Sequence, residues 1–239
     1  DRATRALLDR WLPRGRIRRL LKTDLYDESC TDGLVPQLAT RAERVFGVDV
    51  SRVVAASAAA RTRVRAVAGD VRALPYRGAT FDVIVSNSTL DHFADHREIG
   101  RALAEIERVL APDGVLILTL DNPRRPVVRL RNALAPLLAR AGILPYAVGA
   151  THGPRALRGA LEENGFALIE LTAVHHFPRL LLVALERLGR GRGRAAGAAL
   201  RLASSAEALE RLPTRWWTGQ YVAALVQPRR AGDVARGAA

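Results

Sequence analysis

The stretch Arg44–Leu90 decides how the rest of the chain is read. It runs Arg-Val-Phe-Gly-Val-Asp-Val-Ser at Arg44–Ser51, Ala-Gly-Asp-Val-Arg-Ala-Leu-Pro at Ala68–Pro75 and Phe-Asp-Val-Ile-Val-Ser-Asn-Ser-Thr-Leu at Phe81–Leu90. Each holds an apolar run short enough for a strand, closed by a polar residue where a strand should give way to a loop. In an open parallel sheet that carboxyl edge is where ligands bind. Asp49, Asp70 and the Ser86–Asn87 pair are therefore the candidate ligand contacts.

Working outward, helical and strand patterns alternate. Leu7, Leu8, Trp11 and Leu12 give Thr4–Leu12 helical spacing, and Ile17–Tyr26 reads as the first strand. Asp32 stands where an N-cap belongs, ahead of Leu34, Val35, Leu38 and Ala39. Val45–Val50 and Val64–Ala68 are the next strands, with Ser51 capping the Ala-rich helix between them. Phe81–Ser86 is the fourth strand. Asp95–Leu110 is the clearest helix, with Ile99, Leu103, Ile106 and Leu110 on one face. Pro112–Gly114 reads as a turn into Val115–Leu120, an apolar run of buried-strand type. The alternation with short connections argues for an α/β fold, a doubly wound parallel sheet.

Beyond Asp121 the pattern loosens. Arg124–Arg140 reads as a basic amphipathic helix that Pro136 should kink or break. Pro154–Asn164 reads as a helix stopped by Gly165, and Phe166–Ala173 and Tyr221–Val226 as strands. Arg179–Leu202 is helical in pattern but interrupted by Gly-Arg-Gly-Arg-Gly-Arg at Gly189–Arg194. From Pro228 onward a disordered tail is expected.

Composition narrows the partners. Apolar residues make up 49% of the 239, an ordinary globular value, and no apolar run is long enough to span a membrane. Cys30 is the only cysteine, which excludes an intramolecular disulfide and makes a cytoplasmic location the simplest expectation. The net charge is +13, and Lys22 is the only lysine among 37 basic residues. The arginines are scattered without the aromatic interleaving that base stacking needs, so no nucleic-acid partner is expected. A basic face meeting a membrane surface or an acidic substrate remains open. No metal site is expected, because the adjacent His175 and His176 lack a carboxylate at a helical offset.

Taken together, the chain resembles the class I S-adenosylmethionine-dependent methyltransferases, of the small-molecule type that includes quinone-biosynthesis enzymes. The resemblance covers roughly Leu20–Asn122. Five stretches carry it in order: Gly47–Ser51, Gly69–Pro75, Phe81–Ser86, Leu90–Phe93 and Glu105–Leu116. It implies a Rossmann-like, mostly parallel seven-stranded sheet in a single domain. The cofactor core would span 20–122, a variable substrate region and lid 123–218, the last strand 219–227 and the tail 228–239.

The resemblance also implies roles. Asp49 would accept from the cofactor's ribose hydroxyls and Asp70 from its adenine amine. Val50 and Val71 would pack beside the adenosine, while Ser86 and Asn87 would line the cleft. His92 is the best local candidate for a general base toward a hydroxyl acceptor. The family's Gly-x-Gly-x-Gly loop is missing: counting back from Asp49 puts Gly33 at its last glycine, with Ser29 and Thr31 at the first two. In its place Asp24, Asp27, Glu28 and Asp32 crowd one segment. Such carboxylates disfavour a dinucleotide pyrophosphate but attract a sulfonium and an ammonium, so S-adenosylmethionine is the expected cofactor and Asp27 and Gly33 join its contacts. The acceptor is expected to be a small molecule, lipid-like or a secondary metabolite. The alternative is a methyltransferase-fold binding or scaffold protein without catalytic activity.

Overall fold

The computed structural model describes residues 2–140, 149–177 and 205–229. Its strands are β1 (Ile17–Lys22), β2 (Ala42–Asp49), β3 (Arg65–Ala68), β4 (Phe81–Asn87), β5 (Leu110–Asp121), β6 (Phe166–Val174) and β7 (Tyr221–Pro228). They form one sheet in the order β3-β2-β1-β4-β5-β7-β6. All neighbours are parallel except β7, which is antiparallel to both β5 and β6. The chain winds from β1 out to β3 and then returns to lay β4 on the other side of β1. The loops after β1 and β4 thus diverge, and the crevice between them is the topological switch point where such sheets hold ligands.

Both faces are covered, which is why the central strands are apolar on each side. On one face Leu20, Val83, Val85 and Ile117 meet Leu7, Leu8 and Trp11 of α1 (Arg2–Trp11), Val35 and Leu38 of α3 (Val35–Ala39), and Ala55 and Ala58 of α4 (Arg52–Thr62). On the other, Leu21, Ile84, Leu116 and Leu118 meet Ile99, Leu103 and Ile106 of α5 (His96–Val109) and Leu157 and Leu161 of α7 (Pro154–Glu163). Leu20 and Leu21 point oppositely, as adjacent strand residues must.

Local signals placed the starts of α4, α5 and α7. The Ser51 hydroxyl accepts from the Val54 N–H at 3.3 Å and opens α4. Asp95 accepts from the N–H groups of Arg97 and Glu98 at 2.8 and 3.0 Å, while Glu98 reaches back to the Ala94 N–H at 3.1 Å. That reciprocal arrangement satisfies donors which the first turn would otherwise leave unpaired.

Several expectations are corrected. The first strand stops at Lys22, and Tyr26 instead opens α2 (Tyr26–Cys30). Asp32 is not the cap of α3: Leu34 holds that position, and its N–H is taken by Glu28 at 2.8 Å. Pro112–Gly114 is no separate turn but lies inside β5, where Phe81 pairs with Leu110 and Val83 with Val115. Residues 111–114 are thus accommodated opposite Asp82 alone, as an enlarged bulge. The helix α6 (Pro126–Arg140) runs through Pro136; a proline forfeits one intrahelical hydrogen bond, and the helix continues without it. Pro228 pairs with Phe166 in the sheet rather than starting a tail. The expected helical region Arg179–Leu202 and the tail beyond Arg229 lie outside the described residues.

Candidate active site

The carboxyl edge at the switch point is built by two loops that clasp each other. After β1, the Thr23 N–H bonds the Val85 carbonyl at 3.1 Å, and the Thr23 hydroxyl bonds Ser86 and Thr89 at 3.0 Å each. Ser86 is fully buried by this clasp, so its side chain holds the loops together and does not line an open cleft. Asn87, one residue further, is half-buried and accepts from the Thr119 hydroxyl at 2.9 Å.

Asp49 ends β2 beside this clasp. One carboxylate oxygen accepts from the Leu25 N–H at 3.1 Å and the other from the Ser51 N–H at 2.8 Å. It therefore fixes the β1 loop against the start of α4. Each oxygen retains a second lone-pair direction, so the carboxylate can still accept from a ligand hydroxyl. Around it the apolar side chains of Val50, 79% exposed, and Tyr26, 64% exposed, stand open to solvent. Exposed apolar groups beside a hydrogen-bonding carboxylate form a surface that a flat adenosine would cover.

Asp70 follows β3, and the Gly69 N–H ties this turn to the Asp49 carbonyl at 2.9 Å. Arg72 grips the Asp70 carboxylate, Nε at 2.9 Å from one oxygen and Nη2 at 2.5 Å from the other, and also pairs with Glu98. The guanidinium holds the Asp70 pKa below the usual carboxylate range. It lies 4.9 Å from the Phe93 ring centroid. A purine amine would share Asp70 with Arg72. Val71 is buried in the core.

The acidic loop is not a set of free carboxylates. Glu28 is 0% exposed and Lys22 only 2%. They pair at 2.8 Å; Lys22 also bonds the Asp24 carbonyl, and the second Glu28 oxygen takes the Leu34 N–H. Asp24 is half-buried and accepts from the Tyr26 N–H at 2.9 Å, and burial raises its pKa. Only Asp27 and Asp32 of the four are exposed. The glycine run has thus been replaced by α2 resting on an internal ion pair.

Gly33 retains a backbone role, with φ of +54°. A Cβ there would lie 2.3 Å from a Glu28 carboxylate oxygen. Gly33→Ala is expected to lose at least about 1–2 kcal/mol from the left-handed conformation alone, with the clash adding to it. Urea titration of parent and variant checks this.

His92 ends the short 3-10 helix Leu90–His92 after β4 and is exposed. Sequence reading passed over its neighbour. Asp91 is 6% exposed, and its Oδ2 accepts from the Ser88 hydroxyl and the Asp121 N–H, both at 2.8 Å. Its Oδ1 is buried without a hydrogen-bond partner. Burial, followed by the nearby Asp121 carboxylate, raises the Asp91 pKa. Asp121 at the end of β5 is held by Arg131 at 2.5 Å and by Gln220 at 3.1 Å, and its carbonyl accepts from Thr151. The signal for Asp91 was in the quoted Leu90–Phe93 stretch, but nothing local shows that the aspartate turns inward while the histidine turns out.

The pH consequence of Asp91 has a definite sign. A raised folded pKa means that the folded state holds this proton more tightly than the unfolded chain. The contribution is fully present below the unfolded value, about 3.9, and is lost as pH rises through the folded pKa. Each unit of upward shift costs about 1.4 kcal/mol once ionised. Asp91→Asn cannot ionise, so its stability relative to the parent should improve as pH rises above about 4. Thermal melts across that range measure the trend.

Among the described residues no group of three or more His, Cys, Asp and Glu side chains is placed to hold a metal, and no helix is long and apolar enough to cross a membrane.

Residues 27–118 match the family model described as a methyltransferase domain. That match, together with the sheet order, identifies residues 27–118 as a methyltransferase domain with the class I S-adenosylmethionine-dependent methyltransferase architecture. It is 30% identical over 168 residues to a probable S-adenosylmethionine-dependent methyltransferase of Mycobacterium tuberculosis, covering 64% of this chain and 60% of that protein. It is 29% identical over 127 residues to a malonyl-[acyl-carrier protein] O-methyltransferase of Halorhodospira halophila, covering 53% of this chain and 42% of that one. The chain thus spans less than two thirds of the length of either relative.

Among solved structures, the [4+2]-cyclase SpnF superposes with a TM-score of 0.62 at 20% identity, covering 94% of this chain and 80% of that one. The N-methyltransferase NodS of Bradyrhizobium japonicum, in complex with S-adenosyl-L-homocysteine, superposes at 0.59 and 16% identity, covering 95% of this chain and 86% of that one. At these identities the likeness concerns the fold.

Proposed function

We propose that the chain binds S-adenosylmethionine at the β1–β4 switch point and transfers its methyl group to a small-molecule acceptor, lipid-like or a secondary metabolite. The observation that carries this is Asp49: a carboxylate at the carboxyl end of β2, anchored by two backbone N–H groups and flanked by exposed Val50 and Tyr26. Asp49 would hold the ribose hydroxyls and Asp70 the adenine edge, with Val71 packed in the core beneath rather than against the ring. The exposed Asp27 on α2 and the backbone near Gly33 would face the methionine half. When bound, the sulfonium supplies a methyl group already activated toward a nucleophile.

What remains for the protein is alignment and exclusion of water. The clasp of Thr23, Ser86 and Thr89 fixes the floor of the cleft, and Asn87, Ser88 and Thr119 fix its wall over β4 and β5. For a hydroxyl or amine acceptor, His92 is the proposed proton acceptor. Asp91, buried and holding the Ser88 hydroxyl and the Asp121 N–H, would fix the loop after β4 beside His92.

Calorimetry with S-adenosylmethionine tests the reading. Micromolar to millimolar binding is expected, and no binding by a folded chain would overturn it. A second reading, a methyltransferase-fold binding protein without transfer activity, is favoured by the substituted first loop. The [4+2]-cyclase sharing the fold shows that this architecture serves other chemistry. That reading predicts cofactor binding, or none, with no methyl transfer to any acceptor supplied.

A further inference from the structure

Among the described residues, helix α6 leaves one face without a partner. Val127, Leu130, Leu134 and Leu137 are 57%, 60%, 40% and 65% exposed, whereas the adjacent Val128 is 2% exposed. At about 100° per residue the four exposed side chains fall within an arc of roughly 80°, and Val128 lies on the far side of the helix. The first turns are secured to the domain by Val128 and by the Arg131–Asp121 ion pair, so the helix is anchored at the carboxyl edge of the sheet, beside the end of β5.

Charge says what covers that stripe. Between Asp121 and Glu162 the chain holds no acidic residue and seven arginines: Arg124, Arg125, Arg129, Arg131, Arg140, Arg155 and Arg158. Arg124, Arg129 and Arg140 are exposed. On the helical wheel, Arg131 flanks the stripe on one side, and Arg129 and Arg140 flank it on the other. A groove on another folded protein would bury such leucines but would need acidic rims. A basic helix with an apolar stripe and arginine flanks matches an interfacial helix, whose leucines enter the acyl boundary while its cations meet lipid phosphates.

We propose that the exposed face of α6 docks on an anionic lipid bilayer and brings the carboxyl edge of the sheet to the membrane surface. The acceptor would then be a lipid or an amphiphile dissolved in the bilayer. That consequence rests on the methyl-transfer reading; the docking itself does not.

Flotation with vesicles of phosphatidylcholine, alone or mixed with phosphatidylglycerol, tests it on the full chain. Retention is expected only on the anionic vesicles, weakening as salt is raised. Leu130→Glu combined with Leu137→Glu should lower retention by roughly tenfold or more, with unchanged melting temperature and unchanged affinity for S-adenosylhomocysteine. Failure of the parent to bind anionic vesicles at low salt would overturn the proposal. So would equal retention of the double variant, or a drop in its melting temperature, which would mean the chain itself already buries these leucines. Vesicle binding by a chain that does not bind S-adenosylhomocysteine would uphold the docking surface and remove the methyl-transfer reading.

Discussion

Glu28→Ala should destabilise the chain by about 3–5 kcal/mol, the cost of breaking a buried ion pair by removing one partner. The Lys22 ammonium would remain almost wholly buried with no carboxylate beside it, and the Leu34 N–H at the start of α3 would lose its acceptor. Because α2 and α3 rest on this pair, the segment from Thr23 to Leu34 should loosen first. Denaturant titration gives the magnitude, and hydrogen exchange at Leu34 gives the location. Lys22→Met with Glu28→Leu removes both charges together and is expected to return to within about 1–2 kcal/mol of the parent. If Glu28→Ala costs less than about 1 kcal/mol, the pair is not the anchor described.

The same geometry explains an oddity of composition. All the other Lys/Arg positions in the chain are arginine, yet of the two that are buried among the described residues, Lys22 and Arg125, the more deeply buried is the lysine. A compact ammonium fits between the Asp24 carbonyl and Glu28, where a planar guanidinium would need more room and more acceptors. Lys22→Arg is therefore not a conservative exchange.

Asp49→Ala should weaken S-adenosylhomocysteine binding by roughly a hundredfold or more. Two charge-assisted hydrogen bonds to ribose hydroxyls, at about 1.5–3 kcal/mol each, are the interactions at stake. The variant should also lose about 1–3 kcal/mol of stability, because the Leu25 and Ser51 N–H groups lose their acceptor. Calorimetry reads the first effect and thermal unfolding the second. Binding as tight as the parent's would show that the adenosine lies elsewhere.

How much could be foreseen differs by element. α5 was legible nearly to the residue, because its cap and its apolar face both lie within the helix itself. The strands of the doubly wound sheet were legible for the same reason, and with them Asp49 at the end of β2. Asp70 was placed at the right edge, but its grip by Arg72 was not foreseen. The loop after β1 was misjudged: four nearby acids were taken as one surface, whereas Glu28 turns inward to Lys22, Asp24 is half-buried and only Asp27 and Asp32 face water. Ser86 was expected at the cleft wall and is instead sealed under Thr23.

The sequence by itself determined the succession of the strands and of the longer helices, the fold class and the acid that ends β2. Those follow from periodicities and caps that a side chain enforces on its near neighbours. Only the tertiary structure decided which charges are desolvated, that Glu28 and Asp91 are buried, and that among the described residues one face of α6 is left open. Burial depends on which distant segments are packed against a residue, and nothing in its local spacing records that.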